Sequence, residues 1–171
     1  MSKIFLISEN VLKSETILND NVGGEFIRPA IETSQDIHLQ QLIGSMLLDK
    51  LYDLIDTNDI EKPEFAHYKT LIDEYITNYL KYKVLAEITV PLAYKYRSAG
   101  VVQTNGDHYT NSPMKEATLV QNHYDLRASF YSQRLSDYLN TNSNLFPEYR
   151  NKRDNTDMMA NGDSYQTNIL L

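Results

Sequence analysis

A chain of 171 residues, 42% hydrophobic and 11% aromatic, is long enough to bury one real core and too apolar to be disordered. The absence of cysteine excludes a disulfide framework, thiolate metal sites and a cysteine nucleophile. A net charge of −7 speaks against a general nucleic-acid binder, although an acidic wall that repels phosphate would let a duplex slide past.

The charge is unevenly spread. From residue 150 onward Arg150, Lys152 and Arg153 cancel Asp154, Asp157 and Asp163, so the excess negative charge lies in residues 1–149. The opening MSKIFLISENVLKSE has too short an apolar stretch for a signal-peptide core or a membrane span. Thirteen tyrosines beside no tryptophan leave two readings open. Tyrosine is favoured at wet protein–protein contacts, but some phage and low-GC genomes use Tyr and Asn heavily.

In chain order, residues 3–7 read as a short extended segment, and Ser8 opens a helical turn holding Val11 and Leu12. Gly23-Gly24 breaks the chain, after which Phe26, Ile27, Ala30 and Ile31 recur at helical spacing with Pro29 near the start. Ser34 is an N-cap candidate for QDIHLQQLI, Asp36 sits in its first turn, and Gly44 marks its end. The next helix, SMLLDKLYDLID, places Leu47, Leu48, Leu51, Tyr52 and Ile55 on one face, and the polar stretch 57–62 closed by Pro63 is a loop.

The longest helical pattern starts at Glu64. Phe65, Tyr68, Ile72, Tyr75 and Tyr79 form one stripe, and Leu71, Leu80, Val84, Leu85 and Ile88 form a second on another side. A helix apolar over more than one face is buried on more than one face. The expected fold is therefore mainly α, a helical bundle around a long central helix over about 64–96, kinked near Pro91. After Gly100, VVQTNGDHYT predicts a β-hairpin over about 101–110 turning on Asn105-Gly106, with an irregular polar loop as the other reading.

Pro113 fits the first turn of a last long helix whose stripe is Ala117, Val120, Tyr124, Ala128, Tyr131, Leu135 and Tyr138. Turn formers at 140–144 end it, and Phe146-Pro147 pack the exit. Residues 1–149 thus form one helical domain with a hairpin, and 150–171 an extended C-terminal arm, polar and Asn-rich with Ile169, Leu170 and Leu171 at its tip. An arm with nothing of its own to bury is held by a partner chain, through Tyr165 and that tip, or folds back on its own domain.

The search for chemistry finds little. Glu64 and His67 have the Glu-x-x-His spacing of di-iron bundles, but a second copy is missing, so they read as a helix-surface pair. Asp49 and Asp53, four apart, form a solvated, mildly repulsive edge. His38, His108 and His123 complete the histidines without a ligand pattern, and Gly23-Gly24 is no phosphate-cradling loop. No Gly-x-Ser-x-Gly or His-Glu-x-x-His occurs. The reading is a non-enzymatic protein with no catalytic residue, cofactor or metal.

The succession IRPAIETSQDIHLQQLIGSMLLDKLYDLI, then YKTLIDEYITNYLKYKVLAEITVPLAYKYRSAGVV, then SFYSQRLSDYLNTNSNLFPEY resembles the head–tail connector (adaptor, or ring) proteins of tailed bacteriophages, the crAss-like type most. It covers roughly residues 25–149 and leaves out the N-terminal segment and the tail. The resemblance implies a structural virion protein at the head–tail junction, made in the host cytoplasm. About twelve copies would form a ring under the portal. The ring would dock an adjacent ring or tail protein and continue a channel through which DNA passes without sequence-specific binding, with no membrane involved. Val101, Val102 and Tyr109 of the expected hairpin would offer an edge to a neighbour, and residues 150–171 would be the attaching arm. A small cytoplasmic helical protein-binding module, a phage regulator or assembly chaperone, is the alternative.

Overall fold

The computed structural model describes residues 3–97, 100–103 and 114–160. Ser8, in extended backbone, accepts from the Val11 amide and caps α1 (Glu9–Glu15). The segment before it stays irregular, yet Leu6 and Ile7 are buried. It is held by the buried side chain of Gln35, whose Oε1 accepts from the Leu6 amide at 2.7 Å while its Nε2 donates to Ile4 O at 3.1 Å.

The second helix, α2, runs unbroken over residues 24–43, as Gly24–Thr33, a π-helical stretch Ser34–Leu39, and Gln40–Ile43. Ser34 is therefore not a cap: its backbone is helical, its side chain is fully buried, and its Oγ has no hydrogen-bond partner among the described residues. Gly44 ends α2 at φ 82°, and α3 (Ser45–Asp56) comes directly after it, burying Leu47, Leu48, Leu51 and Leu54. Two 3-10 turns, Asp59–Glu61 and Pro63–Phe65, carry the chain to α4.

Helix α4 covers residues 66–93, with a π-helical stretch Leu71–Ile76 between Ala66–Thr70 and Thr77–Ala93. It is the middle of the bundle, with Leu71, Ile76, Leu80, Val84 and Ala86 fully buried and α2 and α5 packed against it. The helix passes Pro91 and stops at Ala93, three residues short of the expected end, because Tyr94 turns extended. The strands beyond it correct the expected hairpin. Strand β1 (Tyr94–Arg97) pairs antiparallel with β2 (Gly100–Gln103), Tyr96 opposite Val101 and Lys95 opposite Val102. The ladder partners of Val101 and Val102 lie upstream, so the β-hairpin predicted over 101–110 is not the element formed. The β-prone YKY after Pro91 supplies the partner strand, and Asn105-Gly106 lies outside the described residues.

The last helix, α5 (Met114–Thr141), runs antiparallel to α4 and packs along it. The seam is built from tyrosines seven residues apart on both helices. Tyr75 stacks on Tyr138 with ring centroids 4.0 Å apart, and Tyr82 on Tyr131 at 5.2 Å. Such pairs add about 0.5–1.5 kcal/mol each beyond their area burial. Ala117, Tyr124, Ala128 and Leu135 of the expected stripe are buried, whereas Val120 is exposed. After α5 the buried Phe146 closes the end of the bundle against His67 and Tyr68.

The chain then folds back. Met158 O accepts from the Ser45 amide and the Met158 amide donates to Ser45 Oγ, both at 2.9 Å, while Arg153 bridges Asp49 and Asp157. Residues 150–160 thus lie against the α2–α3 corner, while Tyr165 and the apolar tip of the arm lie outside the described residues.

Candidate functional site

Two surfaces merit comparison. The first is a polar cleft of about 320 Å³ where α2, α4 and α5 meet, lined by His38, Tyr79, Lys83, Asp125, Ser129 and Ser132. His38 Nε2 lies 3.0 Å from Glu87 Oε1, and Lys83 Nζ lies 3.4 Å from Glu87 and 2.7 Å from Asp125. The hydrogen bond with His38, helped by Lys83, holds the Glu87 carboxyl below its ordinary range. The serine hydroxyls are turned to backbone, Ser129 Oγ donating to Asp125 O and Ser132 Oγ to Ser129 O. Every charge in this cleft has an opposite charge against it, which is the arrangement of a polar staple between helices.

The second surface is the outer face of α5. Leu119, Leu126 and Phe130 are each at least 60% exposed and Val120 is 47% exposed, although α5 is packed on its other side. Leu126 and Phe130 edge a shallow groove with Tyr82, His123, Arg127 and Tyr131. The Arg127 guanidinium sits over the Tyr82 ring, 5.7 Å from its centre. Leu119, Leu126 and Phe130 along one line, with Val120 beside it, make a patch of the kind that marks an interaction site.

The residues singled out in the sequence scatter. Val101 and Val102 lie in β2. Tyr109, Tyr165, Ile169, Leu170 and Leu171 lie outside the described residues. His67 belongs to an aromatic cluster, 4.3 Å from the Tyr68 ring, while Glu64 is exposed. Among the described residues no group of three His, Asp or Glu stands close enough to hold a metal, and no helix is long and apolar enough to cross a membrane. Asp49 is drawn to Arg153, a partner 104 residues away, not to Asp53.

Of the thirteen tyrosines, nine (Tyr52, Tyr68, Tyr75, Tyr79, Tyr82, Tyr124, Tyr131, Tyr138 and Tyr149) belong to the core or pack on its margin. Their first role is internal. The outward stripe of α5 was missed in the sequence, although its signal is there: 119, 126 and 130 share one line, turned away from 117, 124, 128 and 135.

Residues 39–158 match a family of unknown function, DUF6712. That span begins inside α2, takes in α3 to α5, and ends at the residue that clasps Ser45. No curated protein and no solved structure gives a significant match. With about seven-tenths of its length inside the match, the chain belongs to this family of unknown function, DUF6712.

Proposed function

We propose that the chain is a structural virion protein, forming an oligomeric ring between portal and tail that continues the DNA channel and offers a docking surface to tail components. The observation that carries the reading is the outer face of α5. A closed helical core leaves Leu119, Val120, Leu126 and Phe130 in water, a cost that a subunit repeated side by side removes. Three further points support it. The order of helical segments resembles that of head–tail connectors of tailed phages. The stacked α4–α5 seam gives the rigid wedge that a ring of fixed angle needs. The net charge of −7 suits a wall past which DNA slides.

In this reading residues 161–171, with Tyr165 and the Ile169-Leu170-Leu171 tip, are the attaching arm toward the portal or a neighbouring component. The protein works at the head–tail junction of the virion, in about twelve copies, without cofactor or catalysis. The alternative, a cytoplasmic helical binding module, would use the same α5 face for one small partner. Native mass and imaging of portal-bearing particles separate the two. The expected result is a closed ring of this chain at the portal vertex; a monomer that never assembles on a portal overturns the proposal.

A further inference from the structure

Two arginines stand beside the exposed stripe of α5, whose line runs on to the exposed Asp137. Arg127 and Arg134, seven apart, stand beside the line of Leu119, Leu126 and Phe130. Among the described residues neither arginine has a carboxylate partner, whereas Lys3, Arg28, Lys81, Lys83 and Arg153 are all in ion pairs.

The opposite imbalance sits at the end of α3. Asp53 and Asp56 lie in its last turn and are exposed, and no basic residue shares that turn. The carbonyl end of a helix already carries partial negative charge, so two carboxylates there repel it and stand where cations belong. Neither makes an ion pair among the described residues. Ile55, within the same turn, and Ile60 beyond it are half-buried, while the Phe65 ring carries the Lys50 ammonium 5.3 Å from its centre.

The apolar part of the α5 stripe and the acidic end of α3 lie apart along the bundle, with Arg134 between them beside Tyr75. The α5 stripe lies beside Tyr82 and Lys83 of α4, while the turn Asp59–Glu61 packs on Ala66–Thr70 at the beginning of α4. From residue 66 to 82 a helix rises about 24 Å. Among the described residues none of these four charges meets another within one chain. Between copies they make a heterologous contact, which repeats and closes into a ring where the angle allows.

We propose that the outer face of α5 in one copy docks on the acidic end of α3 in the next. Arg127 and Arg134 face Asp53 and Asp56, and Leu126 and Phe130 cover the exposed margins of Ile55 and Ile60. The inference rests on the ring reading and names the contact that would build the ring.

The test uses the full chain and tracks association by sedimentation over a range of salt. R127E/R134E and D53K/D56K are each expected to weaken association at least tenfold while the chain stays folded, the first with a small fall in melting temperature from losing the Arg127–Tyr82 contact and the second with none, since it relieves the end of α3. The chain carrying all four reversals is expected to associate as the wild type does, because the charges again oppose. R134E with D56K repeats the logic should four changes fail to fold. Reversals without effect, or a combined variant that stays dissociated although folded, overturn the contact. So does a wild-type chain that remains monomeric or stops at a two-fold dimer. Imaging of portal-bearing particles then decides the ring reading separately. A ring present in particles carrying the R127E/R134E protein leaves that reading standing with its interface elsewhere, and no ring in wild-type particles removes both.

Discussion

Gly44 separates α2 from α3 at φ 82° and ψ 160°, and a Cβ there would stand 3.0 Å from the Ala160 amide nitrogen and 3.2 Å from Met158 O. An alanine meets both an unfavourable backbone region and a packed strand of chain. Gly44→Ala is expected to cost about 2–4 kcal/mol in denaturant unfolding; a loss under about 0.5 kcal/mol would mean that the C-terminal clasp relaxes freely. Gln35 is the second single-residue lock. Besides binding Ile4 and Leu6 it donates to Tyr52 Oη at 3.0 Å, and burial pushes the Tyr52 hydroxyl up to about 12. Gln35→Ala strands a buried amide and a carbonyl, for an expected loss of about 2–4 kcal/mol. Hydrogen exchange at Leu6 is expected to rise by more than the global loss accounts for, and unchanged exchange there would sink the assignment of Gln35 as the clamp.

At the scale of elements, the junction of α2, α4 and α5 is charged, and Glu87 is its centre. Its carboxyl is held below its ordinary value of 4.5, chiefly by the hydrogen bond with His38. The folded chain therefore binds this proton less tightly than the unfolded chain. The resulting stability is complete above the ordinary glutamate range and is lost as pH falls through the lowered value. Glu87→Gln is expected to cost about 1 kcal/mol at pH 7 and to make the acid limb shallower below about pH 4.5. Acid unfolding that parallels the wild type throughout would contradict this. Of this junction only the Lys83–Glu87 pair, four apart on α4, had a local spacing to show it; His38 and Asp125 come from other helices and could not be linked to it from the sequence. The inward stripes of α3 and α4 were legible, since a period near 3.6 survives single substitutions. The π-helical stretches were not, so Ser34 looked like a cap where the helix runs on. The sheet was misplaced for a related reason: Asn-Gly is a strong turn signal, but Tyr94–Arg97 lay within an apparently helical run.

For the molecule as a whole, a boundary at residue 149 divides what the structure joins. Removing residues 150–171 takes away the Met158–Ser45 bonds and the Arg153 bridges to Asp49 and Asp157, and uncovers Gly44. That truncation is expected to lower the melting temperature by roughly 5–10 °C, as losing about 2–3 kcal/mol does in a domain of this size. Removing only 164–171 is expected to leave melting within about 1 °C while weakening docking to the portal or neighbouring component. Equal losses from both truncations would place the last residues in the core. The arm reads as polar with little to bury, which is right for its composition. Only the three-dimensional neighbour of Gly44, far away in sequence, shows where its first part rests.

The clasp at Ser45 gives the end of the chain a fixed anchor post. The chain beyond Ala160 starts from one point on the surface, and eleven residues at full extension reach at most about 36–40 Å. Within that radius their apolar tip would meet a target as if dissolved at roughly millimolar concentration. A modest intrinsic affinity, repeated by each copy held at a common vertex, would then act as one tight, many-footed grip, whereas a copy adrift in solution would let go quickly.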